Sequence, residues 1–180
     1  MAIRDILLYP EKRETLTTEC DSVDQVDDEI RQLVDDLAET MYDAPGVGLA
    51  APQVGVTKRV TVIDVSDHDP PYEDLHVLIN PEIVDREGTQ TWEEGCLSFP
   101  GLHGDVQRSE WVKVEATGRD GERYTVEGDG LLAVCLQHEI DHLDGVLFIE
   151  RMSPLKRRMA MKEYKKIRSQ MDEDEKDEVV

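Results

Sequence analysis

The sequence predicts an α+β fold in which antiparallel sheets pack around a central helix, with another helix at the C-terminal end. Segments with strand character outnumber helical ones, and the helical segments occur early, late in the middle and last. This order differs from the regular strand–helix alternation that builds a parallel sheet. Residues 111–127 also follow a hairpin pattern around Arg119-Asp120-Gly121, which indicates antiparallel pairing.

The first quarter of the chain is predicted to hold one amphipathic helix. Residues 1–20 are expected to be extended and irregular, and the helix is expected to begin at Asp21 or Ser22. It should end near Ala44, because Pro45-Gly46 cannot continue a helix. The apolar residues recur at helical spacing and would form its buried face: Val26, Ile30, Leu33, Val34, Leu37 and Met41.

The middle of the chain is predicted to be mostly strands and loops. A glycine-rich segment (46–56) precedes a strand (59–66), and a polar loop with two prolines (66–74) follows. Residues 76–85 are expected to form strand, turn and strand, and a further strand is expected to end near Trp92.

Two helices are predicted after the hairpin. The first should run from Gly130 to about Leu143, with Asp129 as its cap and Gly145 following it. The second should start at Ser153-Pro154 and end near Met171. Residues 1–171 would then form a single catalytic domain, and the acidic residues 172–180 a disordered tail.

Length and composition bound the class of protein. With 180 residues and 39% hydrophobic residues, the chain can bury a core without disulfides. Three cysteines are an odd number, which argues against a disulfide framework. The N-terminal segment lacks the apolar core of a signal peptide, and no apolar run approaches the roughly 20 residues of a membrane span. A reduced, cytoplasmic protein is therefore expected.

The charge of the chain excludes some partners. Forty-one acidic and 20 basic residues give a formal net charge of −21. Such an excess of negative charge argues against general affinity for nucleic acid or for an anionic membrane. Two interpretations remain: adaptation to high salt, which screens the self-repulsion, or an acidic protein of a low-salt habitat.

The strongest chemical signal is His138-Glu139-Ile140-Asp141-His142. Histidines four residues apart share one face of a helix, so both imidazoles can bind one metal ion. The glutamate between them would lie where it can take a proton from water. The predicted helix over 130–143 is therefore expected to be the metal-binding helix at the centre of the fold.

The third metal ligand has several candidates. One peptidase pattern would continue with a third histidine, but Phe148 stands at that position. Another would use a later glutamate, for which Glu163 has the distance. Cys96, in a glycine-containing segment, is the better candidate, because a thiolate and two imidazoles leave a fourth position open. Cys20 and Cys135 are interpreted as buried apolar residues.

Three segments taken together resemble the three motifs of the peptide deformylase family. They are GVGLAAPQ (46–53), EGCLSFP (94–100) and QHEIDHLDG (137–145). The resemblance implies a metal-dependent hydrolase that removes the formyl group from the N-terminal methionine of new polypeptides and releases formate. It also implies one divalent metal ion, usually Fe²⁺ in the cell, with Zn²⁺, Ni²⁺ or Co²⁺ as substitutes.

The resemblance also implies a role for each motif residue. Cys96, His138 and His142 would be the metal ligands, and Glu139 the general acid and base. The amide of Gln53 and the backbone N–H of Leu97 would hold the formyl oxygen in the transition state. The methionine pocket and the peptide contacts would come from Val47, Gly48, Trp92, Glu94, Leu131, Val134 and Cys135.

Arg108 and the last helix complete the predictions. Arg108 would either contact the backbone of the substrate or pair with an acidic neighbour.

Seven basic residues lie within 156–168, and in bacterial members of the family this helix docks on the ribosome. Ribosome contact and a solvated helix face are both consistent with that cluster. A peptidase that uses Glu163, or a catalytically inactive peptide binder, would be the competing functions.

Overall fold

Antiparallel pairing dominates the computed structural model, which describes residues 2–178. The strands are β1 (Gly48–Ala50), β2 (Val60–Ile63), β3 (His76–Glu87), β4 (Gln90–Gly95), β5 (His103–Arg108), β6 (Trp111–Thr117) and β7 (Arg123–Asp129). A five-stranded sheet has the order β1-β2-β3-β6-β7, and β4 pairs with β5 in a separate two-stranded sheet. The predicted α+β class and the hairpin over 111–127 are confirmed.

The helix α3 (Gly130–Leu143) forms the centre of the fold. Its residues 133–143 are all buried, because it contacts both β1–β2 and β6–β7 of the larger sheet. The predicted bounds of this helix are confirmed. Asp129 occupies the N-cap position as predicted, but its side chain makes no capping hydrogen bond.

The helix α2 (Asp28–Asp43) begins later than predicted. Asp27 caps it, and the Asp27 carboxylate accepts a hydrogen bond from the backbone N–H of Ile30 at 3.0 Å. Residues 21–26 stay extended because other segments bind their backbone: Asp21 exchanges hydrogen bonds with 57–59, and Val23 with the Asn80 side chain. The expected start at Asp21 or Ser22 is therefore wrong.

Two further segments differ from the predictions. Residues 1–20 contain a short helix, α1 (Arg13–Leu16), whose Leu16 is fully buried in the core. The predicted strand–turn–strand over 76–85 is one continuous strand, β3, interrupted by a shift of register between Ile79 and Glu82. Asn80 has a positive φ of 50° there, so the Asn-Pro pair forms a bulge and not a turn.

The helix α4 (Pro154–Glu178) closes the described part of the chain. Its cap is Ser153, whose hydroxyl accepts from the backbone N–H of Lys156 at 3.3 Å. Ala160 and Tyr164 are its buried residues, so most of its surface faces solvent. It continues past Met171 through 172–178, where disorder was predicted, because this stretch has no proline or glycine. The predicted tail's last residues, 179–180, lie outside the described residues.

Within residues 2–178, no helix combines the length and the apolarity required to span a bilayer.

Candidate metal centre and its cavity

Three side chains from two elements converge at one point. Cys96 follows the last residue of β4, and His138 and His142 lie one turn apart on α3. Their ligand atoms all lie within 4.8 Å of one another. The Cys96 Sγ is 3.4 Å from the His142 Nε2, which is 3.2 Å from the His138 Nε2. We call these three residues the ligand cluster.

The ligand cluster has the composition and the spacing of a metal centre. One sulfur and two nitrogen atoms suit a borderline or soft divalent ion such as Zn²⁺ or Fe²⁺, and three protein ligands leave one position open. The Nε2 atoms of both histidines and the Cys96 Sγ face one another within the cluster. The residues present therefore fit the predicted ion.

A carboxylate orients one of the two imidazoles. The Nδ1 of His138 donates to Glu94 Oε1 at 2.8 Å, which fixes the ring so that its Nε2 faces the cluster. Burial lowers the pKa of His138, but hydrogen bonds to Cys96 and Glu94 outweigh it and raise the pKa to about 10. Burial and the nearby charge of His138 hold the pKa of His142 well below its ordinary value.

Arg108 holds Glu94 in place from the far side. Its Nε and Nη2 donate to both Glu94 oxygens at 2.8 and 2.9 Å, and its Nη1 donates to Asp141 at 2.6 Å. Only 4% of the Arg108 side chain is exposed, and it does not line the cavity described below. Pairing with acidic neighbours, one of the two predictions for Arg108, is therefore confirmed, and contact of Arg108 with substrate stays a prediction.

Glu139 occupies a narrow slot beside the cluster. It is buried, and its Oε2 accepts from the Thr61 hydroxyl at 3.4 Å. Burial raises the pKa of Glu139 to about 7. A Cβ atom added at Gly48 would lie 2.6 Å from the Glu139 Oε1, so the absence of a side chain at Gly48 makes room for the carboxylate.

Gln53 is fixed at both ends of its amide. Its Oε1 accepts from the backbone N–H of Ala50 at 3.0 Å, and its Nε2 donates to the Ser98 hydroxyl at 3.1 Å. The Nε2 also lies 3.7 Å from the Cys96 Sγ, so the amide N–H group is adjacent to the ligand cluster. Leu97 follows Cys96 directly and lines the cavity.

A cavity of about 690 Å³, which we call the first cavity, opens at the cluster. Val47 and Trp92 lie at its open side, with 40% and 38% of their surface exposed. The Cys135 thiol is buried, which raises its pKa to about 12 and keeps it neutral. All the predicted pocket residues except Arg108 line this cavity: Val47, Gly48, Trp92, Glu94, Leu131, Val134 and Cys135.

The alternative third ligands lie elsewhere. Phe148 packs against the His138 ring, with 5.9 Å between the ring centroids. Glu163 is exposed on α4 and does not belong to the ligand cluster. The structure therefore favours Cys96 over both continuations of the histidine pattern.

Several residues that support the site were not predicted. Thr61 forms a hydrogen bond with Glu139, and Ser98 forms one with Gln53. Asp141 accepts hydrogen bonds from both Arg108 and Arg151. Thr61 and Ser98 are isolated hydroxyl residues in the sequence, and nothing in their spacing indicates these partners. Asp141 lies inside the histidine motif, and its charge on a buried helix was the available signal.

Comparison with known proteins gives a consistent result. Residues 3–158 match the family model described as polypeptide deformylase. A peptide deformylase of Alkalilimnicola ehrlichii is 52% identical over 167 residues, which cover 93% of this chain and 92% of that protein. One of Neisseria meningitidis is 51% identical over 156 residues, covering 87% and 90%.

Solved structures agree with this result. The crystal structure of a peptide deformylase from Legionella pneumophila matches with a TM-score of 0.86 at 46% identity, covering 95% of this chain and 98% of that one. A peptide deformylase from Synechococcus elongatus in complex with actinonin matches with a TM-score of 0.83 at 40% identity, covering 89% and 86%.

Proposed function

The chain belongs to the polypeptide deformylase family, and from this premise we propose that it removes the N-formyl group from the initiator methionine of new polypeptides. The reaction hydrolyses the formamide C–N bond and releases formate and a free amine. The observation that carries this proposal is the convergence of the ligand cluster with Glu139 and Gln53 at the end of an apolar cavity.

The cavity and the adjoining strands suit an extended peptide. The strands β1 and β4 are end strands of their sheets, and residues of both line the first cavity. A peptide that lies between them could therefore add to the edge of either sheet. Leu131, Val134 and Trp92 offer apolar surface for the methionine side chain, and Gly48 offers its backbone.

Cys96, His138 and His142 would hold the metal ion. Such an ion supplies polarisation of the formyl carbonyl and a lowered pKa for water. We propose Fe²⁺ in the cell, with Zn²⁺, Ni²⁺ or Co²⁺ as active substitutes, because a set of one thiolate and two imidazoles accepts several divalent ions.

The side chains around the cluster would transfer the proton and stabilise the formyl oxygen. Glu139, whose raised pKa suits proton exchange near neutral pH, would accept a proton from water and pass it to the leaving amine. The Gln53 amide and the Leu97 N–H would donate to the formyl oxygen as negative charge develops there. Each such donor is typically worth about 3–4 kcal/mol in rate.

Formate release from formyl-Met-Ala-Ser tests the proposal directly. Protein purified anaerobically, with its metal content measured, should release formate, and an unformylated peptide should remain intact. Cys96→Ala should abolish both the release and the tight binding of metal. A metal-loaded wild-type protein that releases no formate, or that cleaves the unformylated peptide, would contradict the proposed function.

The setting of the enzyme follows from the same proposal. Newly made polypeptides are its substrates, so we propose a cytoplasmic location and contact with the ribosome through the exposed basic residues of α4. They are Lys156, Arg157, Arg158, Lys162, Lys165 and Lys166. Replacing the last three of these by glutamate should reduce co-sedimentation with ribosomes, and unchanged co-sedimentation would refute the contact.

We also propose a high-salt habitat, which the net charge of −21 supports.

A further inference from the structure

A second cavity lies next to the first and shares part of its wall. It has a volume of about 600 Å³ and is formed between α4 and the β4–β5 hairpin. Glu93 and His103 line both cavities, so these two side chains lie between the two spaces. A ligand that extends from the ligand cluster past Glu93 and His103 would enter the second cavity.

The lining of the second cavity combines apolar surface with balanced charge. Acidic side chains of Glu93, Asp105 and Glu163 face the same space as the lysines, and Asp105 lies 3.8 Å from Lys156. The net charge of the lining therefore favours neither an anion nor a cation. Its apolar residues and lysines are Met152, Met159, Ala160, Lys156, Lys162 and Lys166.

Met159 is the most notable of these residues. Its side chain lies on α4 and remains 63% exposed, although it lines a cavity beside the candidate active site. Methionine adapts its shape to different apolar partners. An exposed methionine at a cavity wall is thus suited to a ligand of variable sequence.

We propose that the second cavity binds the part of the formylated peptide that follows its third residue, with a preference for apolar side chains. This inference rests on the proposed function. Glu93 lies on β4 three residues before Cys96, which directly follows this strand, and three residues of extended chain span about 10 Å. An extended tripeptide anchored at the cluster spans a similar length. Only longer peptides reach the second cavity.

Peptide length and composition provide the first test. The substrates are formyl-Met-Ala-Ser, the same peptide extended by Leu-Leu, and the same peptide extended by Gly-Gly. We expect kcat/KM to be about fivefold higher for the leucine extension, through a lower KM, because partial burial of a leucine contributes about 1 kcal/mol. The glycine extension should equal the tripeptide.

Two matched variants locate the effect. Met159→Ala should remove the advantage of the leucine extension and leave the tripeptide rate unchanged. Leu155→Ala is the control, since Leu155 lies one turn earlier on α4 with 64% exposure but lines neither cavity. It should retain the fivefold advantage. Circular dichroism verifies that α4 stays helical in both variants.

The outcomes separate the two proposals. Hydrolysis of the tripeptide without any gain from the leucine extension would overturn the second-cavity proposal alone. A gain that survives Met159→Ala, or that Leu155→Ala also removes, would overturn it as well by placing the contact elsewhere. Failure to hydrolyse the tripeptide would overturn the proposed function and this inference together.

Discussion

At the scale of single residues, the packing of Gly48 against Glu139 decides how the carboxylate is presented. The backbone at Gly48 is compatible with alanine, but the added methyl group would lie 2.6 Å from the Glu139 Oε1. We expect Gly48→Ala to displace the carboxylate and to lower kcat about tenfold to hundredfold, because small misplacements are costly in catalysis. Formate release under saturating formyl-Met-Ala-Ser measures this.

A matched substitution tests whether the loss is specific to the site. Gly104→Ala would also overpack its surroundings, since its methyl group would meet the end of the flexible Met152 side chain at 2.4 Å. Because methionine adapts its shape, this substitution should cost little stability and leave kcat unchanged. Equal kcat losses in the two variants would contradict the role given to Gly48.

Glu139→Gln tests the proton transfer itself. Glutamine has nearly the shape of glutamate and can still contact Thr61, but it cannot accept a proton near neutral pH. We expect kcat to fall by about a hundredfold to ten-thousandfold with the metal still bound. Rates of formate release and metal analysis on the same preparation are the measurements. Unchanged turnover would refute the role of Glu139.

Arg108 is expected to act through Glu94 and His138. In Arg108→Lys, one ammonium group cannot reproduce the two parallel hydrogen bonds to Glu94 and the third to Asp141. Glu94 would then hold the His138 ring less firmly, and we expect metal affinity to fall about tenfold to hundredfold. Competition with a chromogenic chelator measures the affinity.

Arg151→Lys is the control for this prediction. Arg151 contacts the same Asp141, but 49% of its side chain is exposed and it does not contact Glu94. Its replacement should change metal affinity less than twofold or threefold, as expected for an exposed ion pair. A comparable loss in both variants would assign the effect to Asp141 and not to Glu94.

The residues of the site were predictable to different degrees. The spacing of His138 and His142 predicts their convergence, because helical periodicity is a local property. Cys96 lies 42 residues away from His138, so no local periodicity links the two residues. Its thiol chemistry made it the better candidate, and the resemblance of its segment to a family motif then implied its role. The partner of Arg108 depended on which acidic side chains the fold brings near. The contacts of Thr61 and Ser98 are set entirely by the tertiary fold and could not be predicted from the sequence.

At the scale of elements, long-range hydrogen bonds explain where the predictions failed. The apolar spacing predicted most of the buried face of α2, since that pattern arises within the helix: Ile30, Leu33, Val34, Leu37 and Met41 are buried as predicted. Val26, also predicted there, lies before the helix. The predicted start of α2 was wrong because the backbone of Val23 forms hydrogen bonds with the side chain of Asn80, 57 residues later in the chain. The same Asn80 forms the bulge that makes β3 one strand. A pairing between such distant residues leaves no local pattern in either segment.

His76, the first residue of β3, leads to a prediction about the pH dependence of stability. Burial lowers the pKa of His76, although the charges of Asp64 and Asp74 oppose this. A histidine with a lowered pKa in the folded state contributes stability above its unfolded pKa, and the contribution is lost as pH falls below about 6.5. We expect Tm to fall less between pH 7.5 and 5.5 in His76→Gln than in the wild type.

Differential scanning calorimetry of both proteins at the two pH values measures this difference. Protonation of carboxylates affects both proteins in the same way, so the comparison isolates His76. Equal changes in Tm would show that the histidine titrates alike in the folded and unfolded chains.

At the scale of the whole molecule, the net charge of −21 sets the response to salt. Acidic residues are spread along the chain, so their mutual repulsion opposes the compact state at low ionic strength. At molar salt the screening length falls to about 3 Å, which removes most of this repulsion. We expect Tm to rise between dilute buffer and molar NaCl.

Thermal unfolding in a NaCl series measures this response. Potassium chloride at equal ionic strength is the control for a specific ion effect, and it should give the same rise. A Tm that stays constant or falls would show that the negative charges are too far apart to matter, and it would remove the support for a high-salt habitat.

The open edges of β1 and β4 have a consequence for the protein in crowded solution. Unpaired strand edges are templates for sheet-to-sheet aggregation between molecules. Here β1 has only three residues and begins with glycine, and β4 carries the exposed charge of Glu93. Neither edge can therefore recruit a long strand from a neighbouring copy. A short, charged strand edge can therefore bind an extended substrate peptide and still resist fibril growth.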